Sequence, residues 1–91
     1  PLLNDCVRVL DEARVAPEDL DAAMRSGAGW PMGPCELVDL VGIDVHVHAA
    51  EALYEKLREP RMAPPPRIVA MRDAGLLGRK SGRGFYTYDA P

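Results

Sequence analysis

The chain has 91 residues, 47% of them hydrophobic, and a net charge of −3 from 11 Lys+Arg against 14 Asp+Glu. That apolar fraction supports a folded core and argues against disorder; the length fits one modest domain and is too short for a dinucleotide-binding domain together with a substrate domain. No apolar run is long enough to span a membrane, and nothing at Pro1 reads as a basic and apolar leader.

Taken in order, residues 2–14 place Leu3, Val7, Leu10 and Arg14 on one helical line, with Leu2, Cys6, Val9 and Ala13 beside it. Pro17 suits a first helical position, and Glu18, Asp19 and Asp21 follow where carboxylates favour the positive end of a helix dipole. The spacing predicts a short second helix over 17–26, with Leu20, Ala23 and Met24 inward and Gly27 as its stop. A third helix opens at Pro34, has Leu37, Leu40 and Val41 on one face, and ends at Gly42. Asp44 is the expected N-cap of a fourth helix reaching about Glu59. Val45, Ala49, Ala52 and Leu53 share one of its faces, and Val47, Ala50, Tyr54 and Leu57 share the next. So wide an apolar surface predicts burial on two sides, against its own domain and against a partner.

Four prolines within 60–66 predict a helix-free connector, after which Pro66 opens a fifth helix with Ile68, Val69 and Met71 inside and Gly75 as its stop. Gly78 to Asp89 reads as a loop and a short extended tail whose Phe85, Tyr86 and Tyr88 pack back on the helices. The expected class is all-α: about five helices in a compact bundle with a short aromatic tail. Cys6 and Cys35 read as buried, reduced thiols of a cytoplasmic protein, with a single disulfide left open.

Charge is uneven. Residues 1–59 carry a net −7 and residues 60–91 a net +4. This pattern fits an internal contact, an acidic ligand or simple solvation.

Candidate chemistry is thin. His46 and His48, the only histidines, are two residues apart and point to different helix faces, unlike the four-residue spacing of helical zinc sites. No metal is expected. Gly27-Ala28-Gly29 with Gly33 lacks both the preceding strand and the spacing of a dinucleotide loop. Gly78-Arg79-Lys80-Ser81-Gly82 resembles the end of a phosphate loop, but Arg79 stands where glycine is needed; a weak anion contact by Arg79, Lys80 or Arg83 stays open. The acidic helices around Gly42 would repel nucleic acid. No nucleophile–histidine–carboxylate set can be assembled.

The punctuation nevertheless forms an ordered string: Pro17 to Met24, then Gly27-Ala28-Gly29-Trp30-Pro31-Met32-Gly33-Pro34, then Glu36 to Asp44, and finally Gly78-Arg79-Lys80-Ser81-Gly82-Arg83-Gly84-Phe85-Tyr86. Over essentially its whole length the chain resembles the C-terminal domain of the NAD-dependent 3-hydroxyacyl-CoA dehydrogenases, a family that includes 3-hydroxybutyryl-CoA dehydrogenase. The resemblance implies a single helical C-terminal domain over 1–91, like that of 6-phosphogluconate dehydrogenase. It implies a parent enzyme whose N-terminal Rossmann domain, absent from this chain, binds NAD and carries the catalytic His and Glu. That enzyme would oxidise (S)-3-hydroxyacyl-CoA to 3-oxoacyl-CoA.

Neither His46 nor His48 matches the family's catalytic His. The family's substrate-side Asn lies just upstream of Pro1, and Asn4 falls inside the first helix instead. The chain alone is therefore expected to be catalytically silent and to bind no cofactor, its shortness reading as a cut between domains. By the same resemblance Trp30, Pro31, Met32 and Pro34 line the acyl end of the cleft, although many relatives have His or Tyr where Trp30 stands. Leu37, Leu40, Leu53 and Tyr54 are candidates for a homodimer interface. The partners implied are the acyl-CoA substrate, the chain's own Rossmann domain and a second copy, with no nucleic acid, membrane or metal. Two rivals remain: the C-terminal domain of a related dehydrogenase of sugar-derived hydroxy acids, and a free-standing helical assembly module.

Overall fold

In the computed structural model, which describes residues 2–88, five α-helices run in the order α1 (Leu2–Glu12), α2 (Pro17–Gly27), α3 (Pro34–Val41), α4 (Ile43–Leu57) and α5 (Pro66–Asp73). The all-α expectation is met. Proline occupies the first position of α2, α3 and α5, where its missing N–H costs nothing. The tail's expected end at Asp89 lies outside the described residues.

Helix α1 packs on α3, α2 on α3, α3 on α4 and α4 on α5. Val7, Val38, Ile43, Val47 and Ile68 form the buried centre, one or two from each of α1, α3, α4 and α5, and Leu3, Val69, Met71 and Phe85 close over it. Each fully buried aliphatic side chain contributes about 1.5–3 kcal/mol.

Several local expectations are corrected. Helix α1 stops at Glu12, two residues early, and Arg14 takes a left-handed φ of 54°. Leu2 and Val9 face outward. In α2 the buried side chain is Asp21, while Leu20 and Met24 are half-buried and Ala23 is exposed. That helix runs through Gly27, and the left-handed residue that turns the chain is Gly29. Asp44 is not the N-cap of α4: Gly42, at φ 111°, holds that position, and Asp44 sits in the first turn. At the other end α4 finishes at Leu57, with Arg58 in the left-handed region. The proline connector is not helix-free, since Pro60–Met62 forms a 3-10 turn.

The face of α3 is also reversed. Pro34, Cys35, Val38 and Asp39 are buried, whereas Leu40 and Val41 are exposed. Burying Asp39 displaces the Leu37–Leu40–Val41 face, because its carboxylate meets donors from the distant tail, as described below.

The two charge blocks meet inside the domain. Arg61 pairs with Asp5 at 2.9 Å, Arg67 with Asp11 at 3.0 Å, Arg72 with Glu51 at 3.4 Å and Lys80 with Asp44 at 2.5 Å. Of the three readings of the charge pattern, the internal contact accounts for four of the six basic residues after Pro60. Hydrogen bonding from Arg61 holds the Asp5 carboxyl below the usual range, and Lys80 does the same for Asp44. Exposed pairs of this kind contribute little individually, about 0–1 kcal/mol.

Candidate functional site

Buried side-chain hydrogen bonds tie the α2–α3 loop to the aromatic tail that braces it. The Trp30 backbone N–H donates to Met24 O at 3.2 Å, tying the loop's start to the last turns of α2. Trp30 and Met32 are half-buried and Pro31 is exposed, while Gly33 and Pro34 are buried where α3 begins.

Two helices share the capping of α3. Gly33, the N-cap, has no side chain to accept hydrogen bonds, so Asp21 of α2 supplies the acceptor. Its Oδ1 accepts Cys35 N–H at 2.8 Å and its Oδ2 accepts Glu36 N–H at 3.1 Å. Glu36 Oε1 in turn accepts Gly33 N–H at 3.1 Å and pairs with Arg25. The free N–H groups of a helix start are thus met by a carboxylate, with the helix dipole in its favour. A Cβ on Gly33 would overlap the Asp21 side chain, which explains the glycine.

Asp39 does the matching work for the tail. Oδ1 accepts Phe85 N–H at 2.9 Å; Oδ2 accepts Tyr86 N–H at 3.1 Å and the Tyr88 hydroxyl at 2.5 Å. The Tyr86 hydroxyl donates to Asp21 Oδ2 at 2.5 Å. Each aspartate is fully buried and accepts three hydrogen bonds, without a basic side chain as partner among the described residues. Backbone and phenol dipoles carry the whole compensation for desolvating the two charges.

This arrangement carries a pH dependence. Burial, reinforced by the neighbouring aspartates, pushes both phenols of Tyr86 and Tyr88 well above the ordinary tyrosine value. A pKa raised in the folded state leaves stability unchanged below the unfolded value of about 10 and removes it as pH rises further. Denaturant midpoints recorded from neutral to strongly alkaline pH will therefore fall above about pH 10, by up to about 1.4 kcal/mol per pH unit for each phenol. A Tyr86→Phe/Tyr88→Phe double variant, less stable at neutral pH, will lose that slope. An equal slope in the variant would contradict the assignment.

The candidate anion contacts resolve differently. Lys80 is committed to Asp44, and the Arg79 guanidinium lies over the Tyr88 ring at 5.8 Å from its centre. Gly78–Gly82 wraps a 3-10 turn at Arg79–Ser81 in which Ser81 Oγ accepts Leu77 N–H at 2.9 Å. The glycines of the α2–α3 loop follow a helix. Neither glycine cluster therefore has the strand–loop–helix setting of a dinucleotide site. A groove of about 360 Å³ between α2, the start of α3 and the tail is lined by Glu18, Arg25, Glu36, Arg79, Thr87 and the two tyrosine rings.

The histidines do not come together. Asn4 Nδ2 lies 3.1–3.3 Å from the carbonyls of Arg61, Met62 and Ala63, which orients Oδ1 toward His46 Nε2 at 2.7 Å. His46 therefore donates from Nε2, and burial lowers its pKa. It serves as a neutral tie between α4, α1 and the 3-10 turn, and His48 is exposed. Cys6 and Cys35 are buried and unbridged, with burial raising both thiols. Among the described residues no group of three His, Cys, Asp or Glu side chains could hold a metal, and no helix is long and apolar enough to cross a membrane.

Sequence reasoning placed Asp21 only in a helix's first turn and did not single out Asp39. The one signal present was local: each acid adjoins an apolar helical face, while the donors that meet Asp39 lie in the distant tail.

The same strings that build this brace match known proteins. Residues 1–88 match the family described as "3-hydroxyacyl-CoA dehydrogenase, C-terminal domain". The chain belongs to this family. It is 44% identical over 88 residues to 3-hydroxybutyryl-CoA dehydrogenase of Mycobacterium tuberculosis, covering 97% of this chain and 31% of that protein. Against the human mitochondrial hydroxyacyl-coenzyme A dehydrogenase it is 37% identical over 89 residues, covering 97% and 28%. The crystal structure of (S)-3-hydroxybutyryl-CoA dehydrogenase PaaH1 from Ralstonia eutropha superposes with a TM-score of 0.94 at 38% identity, over 99% of this chain and 32% of that one. The chain thus spans about a third of the length of the curated relatives it matches. Within the family's domain, Asp21 and Asp39 give the Trp-Pro-Met-Gly-Pro loop and the closing aromatics their common physical basis.

Proposed function

We propose that this chain serves as the helical C-terminal domain of an NAD-dependent dehydrogenase that oxidises (S)-3-hydroxyacyl-CoA to 3-oxoacyl-CoA. Its own work is to wall the acyl end of the cleft and to join two subunits. The observation that carries this reading is the family match over residues 1–88, centred on a loop that Asp21 and Glu36 hold in one shape. Trp30, Pro31 and Met32 are the loop residues that reach the surface and present an apolar wall to an acyl chain; Pro34, buried at the helix start, sets the direction of the turn. At the subunit contact, exposed Leu40 and Leu53 provide apolar surface, flanked by half-buried Leu37 and Tyr54.

No chemical step is assigned to this chain. The described residues do not fit a dinucleotide site, and His46 is committed to Asn4. NAD binding and proton transfer therefore belong to a separate N-terminal domain of the parent enzyme. Two buried, unbridged thiols suit a reducing compartment, and we place the protein in the cytoplasm.

A domain swap tests the reading. This chain, fused behind the N-terminal domain of the M. tuberculosis relative in place of that protein's own C-terminal domain, will restore acetoacetyl-CoA-dependent oxidation of NADH. The chain alone will give no turnover. A folded chimera without activity would overturn the enzymatic reading, and turnover by the isolated chain would overturn its silence.

A further inference from the structure

One arginine of the basic tail is fixed in place without a carboxylate partner. Arg79 opens the 3-10 turn Arg79–Ser81. That turn is pinned by Gly78 N–H donating to Arg83 O at 2.8 Å and by Ser81 Oγ accepting Leu77 N–H at 2.9 Å. The Arg79 guanidinium lies over the Tyr88 ring, 5.8 Å from its centre, and forms no ion pair among the described residues. Stacking on a ring restricts a guanidinium while leaving its in-plane N–H donors open to a planar acceptor.

Arg79 lines the groove of about 360 Å³ between α2, the start of α3 and the tail. Small-molecule sites begin at about 300 Å³. Tyr86 and Tyr88 offer this groove ring surface, because their hydroxyls are already engaged by Asp21 and Asp39 at 2.5 Å. From α2 comes Glu18, which is exposed and in no ion pair among the described residues. The other two charged groups, Arg25 and Glu36, neutralise each other.

Charge balance selects the ligand. Two guanidinium and two carboxylate groups sum to zero, so a dianionic phosphate would leave two uncompensated negative charges and meet Glu18 as a like charge. A ligand with one carboxylate and one ammonium leaves none. The Arg79 fork matches a carboxylate, Glu18 accepts from an ammonium, and the tyrosine rings cover an apolar body.

We propose that this groove binds a small zwitterion of the class of an aromatic α-amino acid, with Arg79 holding the carboxylate and Glu18 the ammonium. Trp30, Pro31 and Met32 do not line it, so the site is separate from the wall given to the acyl chain and stands without the dehydrogenase reading.

Titration of the isotope-labelled chain with L-phenylalanine, followed by amide chemical shifts, tests the site. The expected result is saturable shifts at Glu18, Thr87 and Tyr88 with a Kd of about 1 mM, the affinity of a ligand this small. Hydrocinnamate, which lacks the ammonium, and phenylalanine amide, which lacks the carboxylate, should each bind at least about fivefold more weakly. Arg79→Gln and Glu18→Gln should weaken L-phenylalanine by a similar factor; both positions are exposed, so helical circular dichroism will be unchanged. Arg83→Gln, at an exposed arginine of the same tail outside the groove, should leave the Kd as it is. No saturable shift at these residues, or native affinity in Arg79→Gln, would overturn the site. Hydrocinnamate binding as tightly as L-phenylalanine would overturn the zwitterion and the role of Glu18.

Discussion

An Asp39→Asn variant will lose about 3 kcal/mol of stability, and Asp39→Ala about 4–5 kcal/mol. The carboxylate accepts from Phe85 N–H, Tyr86 N–H and the Tyr88 hydroxyl, and all three donors lose their partner in the alanine variant. Asparagine keeps one carbonyl oxygen but turns an N–H₂ group toward donors. A buried donor left unmet costs about 1–3 kcal/mol, more than its hydrogen bond contributed. Folded domains of this size hold only about 5–15 kcal/mol in total. At about 4–8 °C per kcal/mol, the asparagine variant will melt roughly 12–24 °C lower, and the alanine variant will be close to unfolded at ambient temperature. Thermal melts against Asp19→Asn, an exposed acid on α2, provide the comparison. Losses under about 1 kcal/mol for both variants would refute the role given to Asp39.

Gly78→Ala will cost about 3–5 kcal/mol for two separable reasons. Gly78 lies at φ 104° and ψ −145°, a region only glycine occupies readily, and a Cβ there would overlap the Asp39 backbone carbonyl. Gly75→Ala isolates the first reason. Gly75 also has a positive φ, 79°, but a Cβ would meet open space, so its loss should stay near 1–2 kcal/mol. Denaturant midpoints of the two variants measured side by side give as their difference the Cβ overlap together with the added cost of the extended-ψ region that Gly78 occupies. Equal losses would mean that close approach of the tail to α3 contributes nothing. Similar crowding recurs at Gly84, where a Cβ would overlap Asp39 Oδ1, so Gly78 marks where the tail presses on the α3 backbone and Gly84 where it presses on the carboxylate.

Local features of the chain were legible because their causes are local. A proline at 17, 34 or 66 starts a helix whatever surrounds it, since its ring presets φ and the missing N–H is one the helix start does not use. Gly42 and Gly75 end theirs because positive φ suits no other residue as well. Helix count, class and the ordered strings that carry the family resemblance follow from such features. Where two local rules competed, the expectation slipped: Asp44 resembles an N-cap, yet the α4 backbone turns at Gly42 and Asp44 is drawn to Lys80.

Which face each helix buries was decided by the tertiary structure. Periodicity ranks Leu37, Leu40 and Val41 above Asp39 for burial. In the folded domain Asp39 meets donors 46 to 49 residues away, and Asp21 meets a phenol 65 residues away. A buried carboxylate is costly alone and tolerated with three donors, so its place depends on contacts that no local window contains. The charge blocks behave alike: their opposite signs are plain in the sequence, but the pairing of Arg61 with Asp5 or Lys80 with Asp44 required the chain to fold back. The sequence alone determined the helices, their order and the family likeness, because short-range dihedral preferences and hydrophobic spacing dictate these. The tertiary structure alone decided that two aspartates would be the inner fittings of the α2–α3 loop and the tail, and that an apolar face of α3 and α4 would stay outside, because a buried charge is stable only where distant donors converge on it.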